Sequence, residues 1–239
     1  MVRGIYIAAT GMVAELNRQD IVANNLANLN TTGFKADRTT TATFQTLLVN
    51  AYDRSGMTPI GTMGLGTAVR PTYTDFSNGA LLVTGEPTDL AIEGDALFTV
   101  ITPEGLRFTR GGNFSRDRDN YLVTREGYRV MGEQGPIQVD GEFQVSATGE
   151  VIQDGTVINR LGLVATTGAR KEGESLYTVE QAEPATDYQI HQGSLEQSNV
   201  NAIRQMIAMI NLTRSYETNQ RALSAHDETL GKAVNELSS

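Results

Sequence analysis

SNVNAIRQMIAMINLTRSYETNQRALSAHDETLGKAVNEL, residues 198–237, holds the pattern that decides the fold. Within it Ala202, Gln205, Met209, Leu212, Tyr216, Asn219, Leu223, His226, Leu230, Ala233 and Leu237 follow one another at alternating steps of three and four, the a/d seam of a coiled coil. That spacing predicts one long helix, with Ser198 or Asn199 placed to cap its first free backbone N–H groups. Its first half carries a second stripe, Ile203, Met206, Ile207 and Ile210, so it is apolar over more than one face. One partner helix cannot cover both.

The other end of the chain repeats the theme. Ile5, Ala9, Met12, Leu16, Gln19, Ala23 and Leu26 keep the same spacing until Asn28, Asn30, Thr31, Thr32 and Gly33, residues that favour caps and turns, stop the helix. Residues 35–75 then carry Gly56, Gly61, Gly64, Gly66, Pro59 and Pro71, as an extended connector would. From Leu81 to Glu183, short alternating runs are separated by Glu104-Gly105, Asp119-Asn120, Glu126-Gly127, Asp140-Gly141 and Asp154-Gly155, the turn dipeptides of β-hairpins. The expected chain is α+β: an N-terminal helix (1–34), a connector (35–75), a central all-β domain (76–195) and a C-terminal helix (196–239). The two helices pair as an α-helical coiled-coil core with the middle looped out.

Read from the residues alone, the stripes serve equally well as core packed on the β domain. If sister molecules cover the second stripe instead, head-to-tail packing that closes no ring builds an open helical filament. The termini are then weakly ordered in the isolated chain and gain helix on assembly. A coiled-coil-anchored β domain that binds peptidoglycan or an envelope protein is the alternative, and a wall-cleaving hydrolase a third.

Composition trims these options. The 239 residues carry a formal net charge of −9, which disfavours nucleic acid as a partner. Cysteine is absent, and His191 and His226 lack a metal-ligand spacing. Arg3 precedes the apolar run Ile5 to Ala14, but no cleavage site follows, so the start reads as mature protein with no signal peptide. No stretch reaches the length of a membrane span. Gly61, Gly64 and Gly66 lack the Lys-Ser/Thr of a phosphate loop. Arg116-Asp117-Arg118-Asp119-Asn120 has Leu122 where a calcium loop starting at Asp117 needs glycine. Glu93, Asp95 and Glu104 are carboxylates without a nucleophile motif beside them. Arg107, Arg110, Arg116, Arg118, Arg125 and Arg129 are nearly balanced by interleaved acids and read as solvated strand faces. The expectation is no enzyme, no cofactor and no metal.

Residues 24–35, Asn-Asn-Leu-Ala-Asn-Leu-Asn-Thr-Thr-Gly-Phe-Lys, closely resemble the N-terminal signature of the flagellar rod and hook family. Gly193-Ser194-Leu195-Glu196-Gln197-Ser198-Asn199-Val200, with Gln205-Met206 and Arg214-Ser215-Tyr216-Glu217, resembles its C-terminal motif. Residues 89–95 (Asp-Leu-Ala-Ile-Glu-Gly-Asp) and 108–114 (Phe-Thr-Arg-Gly-Gly-Asn-Phe) are similar to its central β region. Gln205 stands where the family usually has Glu, and Ala96-Leu97 replaces a Gly-aromatic pair. The compact middle, with Gly132 to Ile137, is more similar to proximal than to distal rod members.

The resemblance implies an axial subunit of the flagellar basal body in the cell envelope. It would pass unfolded through the type III export apparatus without a cleaved signal, and assemble with copies of itself and with other rod and hook proteins into a tube that transmits torque and conducts exported proteins. It also implies an assembly interface at Asn24, Asn25, Leu26, Asn28, Asn30, Gly33, Phe34, Leu195, Glu196, Ser198, Asn199, Val200, Met206, Met209, Ile210, Arg214, Tyr216 and Glu217.

Overall fold

A computed structural model describes residues 2–43, 46–53, 56–64, 66–173 and 175–237. Its helices are α1, Val2–Ala27, and α2, Ala202–Leu237. Between them the chain is built of strands, so the α+β order holds. It divides into two units, one comprising the helices to Leu26 and from Ala202 with Asp37–Tyr73, the other Ala27–Ala36 with Thr74–Asn201.

In the first unit, burial along α2 follows the expected seam. Leu212 is buried, Gln205, Met209, Tyr216, Asn219, Leu223, His226 and Leu230 are half-buried, and most positions between them are exposed. On α1 the expected positions Ile5, Ala9, Met12, Gln19 and Leu26 are half-buried. Ala8, Ala14 and Asn25 are its buried residues, whereas Leu16 is 44% exposed and Ala23 also faces outward. Two polar residues of α2 approach the small residues of α1 closely. A Cβ on Gly4 would stand 2.6 Å from His226 Nε2, and one on Gly11 would stand 3.1 Å from Asn219 Nδ2. The small residues of α1 make room for an imidazole and an amide, which leucines would not.

Residues 35–75, expected as an extended connector, are extended but largely paired with each other. Thr46–Asp53 and Gly56–Gly64 form a long antiparallel hairpin, and Thr41–Thr43 pairs with Thr67–Val69. The hairpin register shifts between Val49 and Asn50, opposite Pro59, where proline has no N–H to give a regular ladder.

The second unit is built around Ala96–Thr102, whose first five residues are all buried. A continuous run of that kind marks a strand covered on both faces. It is flanked by Arg129–Gly132 and Gly105–Thr109 in a nine-stranded sheet, while Leu163–Ala165 pairs with its first half. Gln144–Val145, Glu150–Gln153 and Thr156–Arg160 form a three-stranded sheet. The core joins Phe98, Val100, Leu122, Val130, Ile137 and Val151. Four of the five turn dipeptides belong to turns that join paired strands, Gly105 already opening its strand, whereas Asp140-Gly141 links Gly135–Pro136 to Gln144–Val145, which lie in different sheets. At Asp154-Gly155 both residues take positive φ, 50° and 77°, as a two-residue hairpin turn requires. Two short pairings finish the unit: Leu90–Gly94 with Tyr188–Gln192, and Leu81–Val83 with Ser194–Glu196.

Candidate functional site

The segment after α1 leads into the interior of the second unit. Thr31 N–H donates to Asn28 O at 3.2 Å and Phe34 N–H to Thr31 O at 3.2 Å, which closes the turn. Gly33 has φ of +67°, and a Cβ there would stand 2.5 Å from the Arg110 carbonyl. Glycine alone meets both demands. Its N–H donates to Glu196 O at 2.8 Å, fastening this segment to the last strand of the unit. Phe34, Ala36 and Val200 then bury together, and Lys171 Nζ lies 3.7 Å from the Phe34 ring centre.

Between Phe34 and Ala36, Lys35 turns its ammonium inward. Lys35, Arg110 and Glu196 each keep 1% of their side-chain surface exposed. Lys35 Nζ donates to Glu196 Oε1 and to Ser77 O, both at 2.8 Å. Arg110 Nε donates to Glu196 Oε2 at 2.5 Å. Its remaining N–H groups reach Gly94 O and Ile92 O at 2.8 Å, Asn78 Oδ1 at 2.9 Å, and Ala96 O. All five donors of the guanidinium are thereby used. Gly79 N–H adds a further bond to Glu196 Oε1 at 2.7 Å. Burial, and next the neighbouring Arg110 charge, hold the Lys35 ammonium below its ordinary pKa, against the opposing pull of Glu196 and Asp75.

Asn199 completes the arrangement. Its Oδ1 accepts Ala36 N–H at 2.8 Å, and its Nδ2 donates to Asp75 O at 2.8 Å and to Ser77 O at 3.1 Å. This corrects the expectation that Asn199 caps α2. The helix begins only at Ala202, and the Asn199 amide bridges strand segments instead. Ser198 Oγ accepts the N–H of Val200, two residues on, at 3.3 Å.

Arg110 is a second correction. It was expected on a solvated face with its neighbours; Arg116, Arg118 and Arg125 are exposed and Arg129, its side chain 41% exposed, reaches Asp117 and Asp119 at 3.5 Å, whereas the Arg107 side chain is only 17% exposed and pairs with Glu172 at 2.7 Å. Arg110 alone of these turns into the core because the strand ends at Thr109, where open carbonyls converge. Neither it nor Lys35 stood among the expected interface residues. Their place inside the quoted Phe108–Phe114 and Asn24–Lys35 motifs was the available signal.

The residues expected at an assembly interface separate into groups. Gly33, Phe34, Glu196 and Val200 are buried in the second unit, with Asn28, Leu195, Ser198 and Asn199 half-buried and Asn30 exposed. Asn25 is buried in the first unit, Leu26 half-buried and Asn24 exposed. On α2, Met206, Ile210, Arg214 and Glu217 are exposed, whereas Met209 and Tyr216 lie on the half-buried seam. The ionic cluster is enclosed and internally satisfied, so it can hold chain segments together but gives no substrate access to its charges.

Three family models match the chain: a flagellar basal body rod protein family at residues 5–35, a flagellar hook protein D1 domain shared by FlgE, FlgF and FlgG at 91–159, and a flagellar basal body rod FlgEFG C-terminal family at 191–236. The flagellar basal-body rod protein FlgG of Borreliella burgdorferi is 33% identical, covering 98% of both chains. FlgF of Rhizobium meliloti is 35% identical over 99% of this chain and 98% of its own. FlgG of Bacillus subtilis is 32% identical over 98% and 99%. The quoted motifs at residues 24–35, 89–95, 108–114 and 193–217 thus fall, in whole or in large part, inside the matched regions.

Proposed function

Because the chain belongs to the flagellar basal-body rod protein family and is a structural subunit of that rod, we propose that it self-assembles into a helical tube that transmits torque and conducts exported proteins. The exposed stripe on α2 carries this reading. Ile203 is 70% exposed, and Met206, Ile207 and Ile210 are each more than half exposed. These residues stand one helical turn or less apart, so water meets a continuous apolar ridge that a single chain leaves uncovered. Packing it against neighbouring copies removes that surface without closing a ring.

The same reading puts the subunit in the basal body, delivered through the flagellar export apparatus and partnered by copies of itself and by other rod and hook proteins. Among the described residues no helix is long and apolar enough to cross a membrane. The role is structural, with no reaction assigned. A β domain anchored on a coiled coil for an envelope component is not favoured, since the relatives are rod proteins.

Electron microscopy of the concentrated protein tests the proposal. Helical tubes are expected from the unaltered chain and none from Ile207→Asp/Ile210→Asp, whose monomer keeps its circular dichroism. Discrete closed particles from the unaltered chain would overturn it.

A further inference from the structure

We propose that the Lys35, Arg110 and Glu196 cluster is a conformational gate that withholds closure of the second unit until residues 194–200 have docked. The cluster is unbalanced without its last member. Lys35 and Arg110 come from early segments, whereas Glu196, the carboxylate that bonds both, lies 161 and 86 residues further along the chain. A chain made from its N-terminus therefore holds every strand of the large sheet, and both cations, before the anion exists.

Closing the unit at that stage would desolvate two like charges against backbone carbonyls and the Asn78 amide, with Asp75 as the opposing charge, a weaker one than Glu196. Removing one partner from a buried ionic group is strongly unfavourable for this reason. Docking of Ser194–Glu196 on Leu81–Val83 brings the carboxylate between the cations. It also brings Gln197 N–H onto Ala80 O at 2.8 Å and the Glu196 carbonyl onto Gly33 N–H at 2.8 Å. The docking surface is cut to fit: a Cβ at Gly79 would stand 1.9 Å from Gln197 O. Neutralisation and strand completion thus occur in one step, and the core of the unit is secured only when the two motif-bearing ends of the chain have met.

The test uses full-length variants and asks for a reversal of sign. Hydrogen exchange at the amides of Ala96–Thr102 and Gly105–Thr109 should accelerate in Glu196→Gln by about tenfold or more. Adding Lys35→Met to that variant should slow exchange again, because it removes a stranded cation. A cluster that merely sums hydrogen bonds would lose further protection with the second substitution. Exchange in Lys35→Met/Glu196→Gln that is as fast as in Glu196→Gln, or wild-type protection in Glu196→Gln alone, would overturn the gate. If Glu196→Gln fails to fold, folding of Lys35→Met/Glu196→Gln supports the gate and its failure opposes it. The kinetic counterpart is Lys35→Met/Arg110→Met/Glu196→Leu, which carries no charge to neutralise. Its refolding should outpace the unaltered chain by about tenfold; an equal or slower rate refutes gating.

Discussion

Asn25 and Asp37 exchange two hydrogen bonds: Asn25 Nδ2 donates to Asp37 O at 2.8 Å, and Asp37 N–H donates to Asn25 Oδ1 at 2.9 Å. Asn25 is 2% exposed and Asp37 half-buried, so the two backbone groups of Asp37 are poorly placed to find water if the amide is lost. Asn25→Ala should cost about 2–3 kcal/mol in urea unfolding of the full chain, the penalty of buried groups left unpaired. Asn25→Asp should cost more at neutral pH, because a carboxylate oxygen then faces the Asp37 carbonyl. A loss below that of an exposed Asn30→Ala control would mean the exchange is dispensable.

Lys35 gives stability a pH dependence of defined sign. Its folded pKa lies below the ordinary 10.5, so in the interval between the two values the unfolded chain binds the proton more tightly. Stability contributed by this group therefore rises with pH across that interval and is lowest below the folded value. Unfolding midpoints of the unaltered chain and of Lys35→Met, followed from neutral pH toward 10.5, should move in favour of the unaltered chain. A constant difference would deny the effect.

Two glycines separate crowding from backbone strain. A Cβ at Gly112 would stand 1.6 Å from the carbonyl oxygen of Leu90, a residue held by its N–H donating to Gly112 O at 2.9 Å, so Gly112→Ala should cost about 3 kcal/mol. Gly127 has φ of +89° with nothing within 4 Å of its Cβ position. Gly127→Ala should cost only about 1–2 kcal/mol. Thermal melts of the two variants rank them, and equal losses would show that the close approach at Gly112 relaxes freely.

Circular dichroism before and after polymerisation checks how far the terminal helices depend on neighbours. Helix content should rise on assembly, since the apolar stripe of α2 is uncovered in the single chain. Equal content in both states would place the full length of both helices in the monomer.

Much of the fold was legible because the governing periods are local. The α2 seam and four of the five hairpin turns depend on residues within a few positions of one another and took their expected place, whereas Asp140-Gly141 joins strands of two different sheets. On α1 the expected spacing held at five of seven positions, with Leu16 and Ala23 exposed, and the close approach of His226 and Asn219 to Gly4 and Gly11 is something no spacing within α1 can reveal. Arg110 escaped notice for a similar reason. Its neighbours in the strip look the same in sequence, and only the chain path brings Glu196, 86 residues away, to within bonding distance of it. Asn199 has the chemistry of a helix cap, and a capping rule cannot foresee that Ala36 and Asp75 offer it better-placed partners.

The bonds from Gly33 and Ala36 to Glu196 and Asn199 also define a load path. The segments that enter and leave the second unit are riveted side by side, so tension applied between them is borne by a few polar bonds and one ion pair before any reaches the sheet. The hairpins at Glu104-Gly105 and Asp154-Gly155 lie beyond that rivet, outside the route of the force. A shaft made of such pieces can vary at its turns without weakening where it is pulled.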